Sequence, residues 1–155
     1  MKTNSKDLSE EIADTIIACF LLGNKALIVG NGGSAAMASH MATEFMCKFE
    51  HDRIPLPAIA LTTDTSFLTA MGNDYPVGND LFARQVQALG KPNDILIIFS
   101  TSGKSMNCLK AIEEAQNRAM KIIDFPRKGK NTAECQEYQL HLMHEVCRKV
   151  EEEFI

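Results

Sequence analysis

The sequence predicts an α/β domain, a parallel sheet flanked by helices on both faces. Three observations carry this reading. Apolar strand-like segments alternate with helical ones along the chain. The clearest of them, Ala26–Val29 (ALIV) and Asp94–Phe99 (DILIIF), are continuously apolar apart from the leading Asp94, as strands covered on both faces are. Polar Gly/Ser loops, Gly30–Ala35 (GNGGSA) and Ser100–Ser105 (STSGKS), follow those two segments at the ends where such sheets bind ligands.

The elements follow in order. Leu8, Ile12, Ile16 and Phe20 recur every four residues, so a helix is expected from about Lys6 to Leu22, capped by Ser5 or Asn4 and stopped by Gly23. Ala26–Val29 reads as the first strand. An Ala- and Met-rich stretch without proline, about Ser34–Lys48, reads as the second helix. Pro55 and Pro57 interrupt the chain before AIALT (58–62), the second strand. Asp94–Phe99 is the third strand and runs into STSGKS. A helix over about Met106–Arg118, a strand KIID (121–124) and a long helix over about Thr132–Glu153 complete the series. Only ten residues, Pro126–Cys135, separate Phe125 from Gln136, too few for another crossover. Either the sheet stops at four strands, or a stretch is missing here. An uncovered edge strand favours the second alternative.

Composition bounds the function. A length of 155 residues fits one domain, and 45% hydrophobic with 23% charged residues excludes a disordered tail. A net charge of −4 gives no general reason to bind nucleic acid. The longest apolar runs, such as Ile16–Leu22, are far short of a membrane span, and the polar N-terminus is unlike a signal peptide. Five cysteines without a CxxC pair fit a reduced cytosol.

Both loops suit anions. GNGGSA offers glycines for close approach and free N–H groups at a helix start. It matches the dinucleotide pattern G-x-G-x-x-G/A, with Glu50 or Asp52 placed for a ribose, and it is equally a plain strand-to-helix turn. STSGKS carries four hydroxyls in six residues, a neutral hydrogen-bonding cup for a phosphate monoester, and lacks the first glycine of a Walker A loop. His40 and Glu44 are four apart on one helical face, a spacing that holds a divalent metal or forms a solvated pair. Gln136, His141 and His144 lie on the last helix, where the two histidines, three apart, can share a face; taken alone they read as ordinary surface or satisfied core residues.

Taken together, GNGGSAA, LTTDTS (61–66), GND (72–74), STSGKS and QEYQLHLMH (136–144) resemble, in order and context, the sugar-isomerase (SIS) domain family, and within it the phosphoheptose isomerases. The likeness runs from about Lys25 to the C-terminus, except for Pro126–Cys135. It implies a three-layer SIS-type fold in a homotetramer, and the conversion of sedoheptulose 7-phosphate to D-glycero-D-manno-heptose 7-phosphate for bacterial lipopolysaccharide. It implies a zinc site at His40, Glu44, Gln136 and His144, with Glu44 as base and His144 as acid or proton shuttle. His141 lies outside that pattern. It further implies phosphate contacts from Ser100, Thr101, Ser102 and Ser105, and sugar-phosphate contacts from Asn31, Gly32, Gly33, Ser34, Glu44, Asn73, Asp74 and Gln136. Three departures from the family pattern stand out: Met37 replaces a common Asp or Asn, the segment 126–135 is too short for a fifth strand and its preceding helix, and the N-terminus is short of the usual first helix.

Two rival readings share the fold. A non-catalytic SIS protein that binds the bacterial replication initiator need not keep His40, Glu44, Gln136 and His144 together. A sugar-phosphate sensor would keep the serine loop beside a DNA-binding segment, and no such segment is expected here. A nicotinamide-dependent enzyme is disfavoured because STSGKS has no part in that chemistry.

Overall fold

A computed structural model describes residues 7–75, 77 and 79–155. Its elements are α1 (Leu8–Leu21), β1 (Ala26–Gly30), α2 (Gly33–Met46), β2 (Ala58–Ala60), α3 (Thr65–Asp74), α4 (Leu81–Leu89), β3 (Ile95–Phe99), α5 (Met106–Asn117), β4 (Lys121–Asp124) and α6 (Thr132–Glu152). The four strands are all parallel, in the order β2-β1-β3-β4.

The central strands explain their own sequences. Every residue of β1 and β3 is buried, and alternate side chains feed two separate cores. Ala26, Ile28, Ile95, Ile97 and Phe99 pack against α1, α2 and α6 on one face. Leu27, Val29, Leu96 and Ile98 pack with Phe82 and Val86 of α4 and Cys108, Ala111 and Ala115 of α5 on the other. The expected three layers are therefore present.

Several boundaries shift for identifiable reasons. The expected caps Asn4 and Ser5, and the expected first helical residue Lys6, lie outside the described residues. Asp7 serves as N-cap, and its backbone N–H donates to Glu10 Oε2 at 3.3 Å. Gly23 ends α1 as expected, in the left-handed region at φ +76°. Asp94 is not part of β3. It is a buried carboxylate just before the strand, accepting bonds from the Lys25 and Lys91 backbone N–H groups and from Asn24 Nδ2 and Lys25 Nζ. Burial would raise its pKa, but these donors hold it below the ordinary value.

Two helices, α3 and α4, stand where the sequence reading assigned no element. The α3 start was legible: Asp64 caps it by accepting from the Phe67 N–H at 3.0 Å. In α4 only Phe82 and Val86 are buried, too thin an apolar stripe to stand out. Among the described residues the sheet ends at β4, and residues 125–131 lead directly from it to the cap of α6 at Asn131.

Candidate active site

Because β1 and β3 are neighbours in register, with Gly30 opposite Phe99, their two loops emerge side by side. A reciprocal amide pair joins the loop after β1 to α5: Asn31 Nδ2 donates to Asn107 Oδ1 at 2.9 Å, and Asn107 Nδ2 donates back at 2.8 Å. Gly30 has no room for a side chain, since a β-carbon there would lie 2.5 Å from the Ser34 carbonyl oxygen. Gly32 has φ +57°, the backbone that turns the chain into α2. Ser34 is buried in the first turn of that helix.

The serine loop uses two of its hydroxyl oxygens internally. Ser100 Oγ accepts from the Gly103 N–H at 3.0 Å, and Ser102 Oγ accepts from the Lys104 N–H at 3.1 Å. Both hydroxyl protons stay available to an acceptor. Ser105 is the N-cap residue of α5 without a side-chain cap bond, so its hydroxyl, like that of Thr101, is unspent on the described backbone. Buried Gln139 of α6 anchors the loop, its Nε2 donating to the carbonyls of Ser100 at 3.2 Å and Phe125 at 3.2 Å.

The metal-type residues converge from α2 and α6. His40 Nε2 lies 2.7 Å from Glu44 Oε1 and 3.5 Å from His144 Nε2. One donor atom from each of the three lies within 4.8 Å of the others. Burial and the neighbouring His40 push the His144 pKa below the usual histidine value, which keeps a ring lone pair free at neutral pH. Gln136 lines a cavity of about 270 Å³ together with Gly33, Met37 and His40. A β-carbon on Gly33 would lie 2.6 Å from Gln136 Nε2, so the missing side chain is what admits the amide. Two imidazoles and a carboxylate form a nitrogen/oxygen donor set that fits a divalent transition metal, and His40 of that set shares its cavity with the Gln136 amide. Met37 is buried and lines the cavity as an apolar wall.

The other expected residues are placed apart. Asn73 and Asp74 end α3 on the surface, Asn73 Nδ2 donating to Asp74 Oδ1 at 2.8 Å, and among the described residues neither bonds to the loops. His141 points elsewhere, 3.5 Å from Glu145.

Three supporting residues escaped the sequence reading. Phe49 stacks on His144 with ring centroids 5.5 Å apart, and nothing in the sequence links positions so distant. Buried Arg53 donates from Nη1 to the Phe45 carbonyl at 2.8 Å and from Nη2 to the Glu44 carbonyl, fixing the end of α2. Glu151 of α6 accepts the N–H groups of Phe49, Glu50 and His51 at 2.7–3.0 Å and holds the segment that carries Phe49.

Comparison with known proteins places this geometry. Residues 1–125 match the family model described as SIS domain. The chain is 48% identical over 158 residues to a phosphoheptose isomerase of Burkholderia pseudomallei, covering 92% of this chain and 80% of that protein. A phosphoheptose isomerase of Shewanella loihica is 43% identical, with 92% and 81% covered. Among solved structures, a phosphoheptose isomerase from Francisella tularensis superposes with a TM-score of 0.88 at 34% identity, covering 96% of this chain and 88% of that one. The one from Neisseria gonorrhoeae gives 0.84 at 35% identity, with 93% and 85% covered.

Proposed function

The chain belongs to the SIS domain family, in its phosphoheptose isomerase branch, and from that premise we propose that it interconverts sedoheptulose 7-phosphate and D-glycero-D-manno-heptose 7-phosphate through an enediol. One observation carries the reading: His40, Glu44 and His144 converge beside a cavity that also reaches Gly33 and Gln136.

The phosphate seats at the serine loop. Thr101 and Ser105 donate hydroxyl protons, and Ser100 and Ser102 do likewise while their oxygens hold the loop's own N–H groups. Asn31, Gly32, Gly33 and Ser34 line the neighbouring loop, and Asn73 and Asp74 are assigned to the sugar phosphate on resemblance alone. Binding energy at the phosphate then aligns a reacting end several carbons away.

At that end Glu44 takes the proton from carbon 1, and the freed electron pair forms the double bond to carbon 2. The carbon 2 carbonyl oxygen gains a proton from His144, giving the enediol. Return of a proton to carbon 2 and loss of the oxygen 1 proton yield the aldehyde, so protons balance over the cycle. His40, 2.7 Å from Glu44, orients the carboxylate, and Phe49 stacked on His144 fixes the imidazole plane. Zinc held by His40, Glu44, Gln136 and His144 would supply Lewis-acid polarisation of the substrate oxygens.

Residues 1–155 are read as one SIS domain of a cytoplasmic homotetramer serving lipopolysaccharide synthesis. The five cysteines are free thiols, and Leu21, Leu22 and Ile54 stand 63%, 70% and 61% exposed, as subunit contacts would require. Among the described residues no helix is long and apolar enough to cross a membrane.

The test is incubation with sedoheptulose 7-phosphate in deuterated water, with and without a chelator. Formation of the heptose phosphate with deuterium at carbon 2 supports the enediol route. Loss of product with chelator and recovery with zinc support the metal. A folded, zinc-replete protein that forms no product overturns the proposal.

A further inference from the structure

Two residues of the serine loop share a cavity with three cationic residues. Thr101 and Ser102 line a cavity of about 310 Å³ whose other side is built by Arg127, Lys128 and Lys130, on the segment joining β4 to α6. That segment lies just beyond residues 1–125, which match the family model.

Arg127 rests directly on the loop. A β-carbon on Gly103, which has φ +67°, would sit 2.8 Å from Arg127 Cζ. The guanidinium spends only Nη2 on a partner, donating to both Asp124 oxygens at 2.8 Å. Its Nε and Nη1 make no hydrogen bond among the described residues. Lys130 offers more: its backbone N–H occupies Glu134 Oε2 at 2.7 Å, while its ammonium has no partner among the described residues. Lys128 leans over the Tyr138 ring, 5.5 Å from its centre. Three like charges within four residues repel one another, and a turn has no need of them. An anion between them and the hydroxyls relieves that repulsion.

We propose that Arg127 and Lys130 bind the phosphate of the sugar phosphate from the side opposite Thr101 and Ser102. The site is thereby a charge-assisted one, not the neutral cup that the loop sequence suggests. Guanidinium and ammonium donors add direct attraction between opposite charges that hydroxyl donors lack, and the guanidinium fork can bind phosphate oxygens bidentately. The inference rests on reading STSGKS as the phosphate loop.

The test uses R127Q, K130Q and the double variant of the full chain. K110Q serves as control, removing one positive charge from a side chain that is paired with Asp80. Inorganic phosphate binding is followed by calorimetry, and sedoheptulose 7-phosphate kinetics run alongside. The double variant should weaken phosphate binding and raise KM about tenfold or more, with kcat nearly unchanged. Its KM should also respond less to ionic strength, while K110Q behaves as wild type. Wild-type phosphate affinity and KM in a double variant that melts normally would overturn the proposal. So would weakened phosphate binding with an unmoved KM, because the anion site would then be separate from the substrate's. If the double variant does not fold, K130Q decides alone, since the Lys130 ammonium holds no described contact. A wild-type protein that binds phosphate yet turns over no sugar phosphate counts against the isomerase reading, and the cationic wall is then judged by phosphate affinity.

Discussion

His144 Nε2 lies 3.5 Å from His40 Nε2, although 104 residues separate them in the chain. The two rings meet edge-on, with centroids 5.1 Å apart, and Glu44 Oε1 closes the group from the His40 side. Two protonated imidazoles would repel at this distance. Burial and the neighbouring His40 hold the His144 pKa below the usual histidine value, which suits a shared cation.

Metal binding should therefore depend on both helices. H40A and H144A are each expected to lower zinc affinity by at least about tenfold, with Q136A less affected. Metal content after dialysis, measured by mass spectrometry, checks this. Full zinc occupancy in either histidine variant would remove that residue from the ligand set.

Glu44 separates binding from chemistry. E44Q keeps nearly the same shape, so sugar phosphate should still bind while isomerisation falls about 10²- to 10⁴-fold. Parallel turnover and calorimetric measurements distinguish the two effects. Undiminished turnover would reject Glu44 as the base.

Two glycines of one loop should respond differently to alanine. In G30A the new methyl meets backbone, at 2.5 Å from the Ser34 oxygen and 3.0 Å from the Phe99 oxygen, so a loss of about 1–3 kcal/mol is expected. In G33A it meets the movable end of Gln136, so stability should hold within about 1 kcal/mol while KM rises. Urea denaturation and kinetics together test the contrast. Equal destabilisation by both would contradict it.

Glu151 should make stability depend on acid. Burial would raise its pKa, but three backbone N–H groups and Arg53, 3.4 Å away, hold it below the ordinary glutamate value of 4.5. A lowered folded pKa means that this stabilisation is complete above 4.5 and fades as pH falls through the lower folded value. E151A removes the counter-charge beside Arg53 and leaves three N–H groups unpaired, and should cost about 3 kcal/mol at neutral pH. Its unfolding free energy should also vary less with pH below that range. An acid profile identical to wild type would show that the carboxylate is not the titrating group.

The strands and the two loops were legible because their signals are local. Continuous apolar runs, glycines and clustered hydroxyls lie within six residues of one another. The half-site His40/Glu44 was legible for the same reason, as one helical turn. Phe49, Gln139, Asn107 and Arg127 were not, because each acts through a partner brought close by packing. The shallow helices α3 and α4 were missed because they bury little: Met71 alone in one, Phe82 and Val86 in the other.

The sequence by itself determined a doubly covered parallel sheet and two anion-type loops at its carboxyl edge. Apolar periodicity and turn chemistry are properties of neighbouring residues. Only the tertiary structure decided that α6 crosses α2 so that His144 meets His40, and that Arg127 comes to rest on Gly103. Those contacts depend on strand order and helix placement, which arise from how the two cores fill and which no short stretch of sequence encodes.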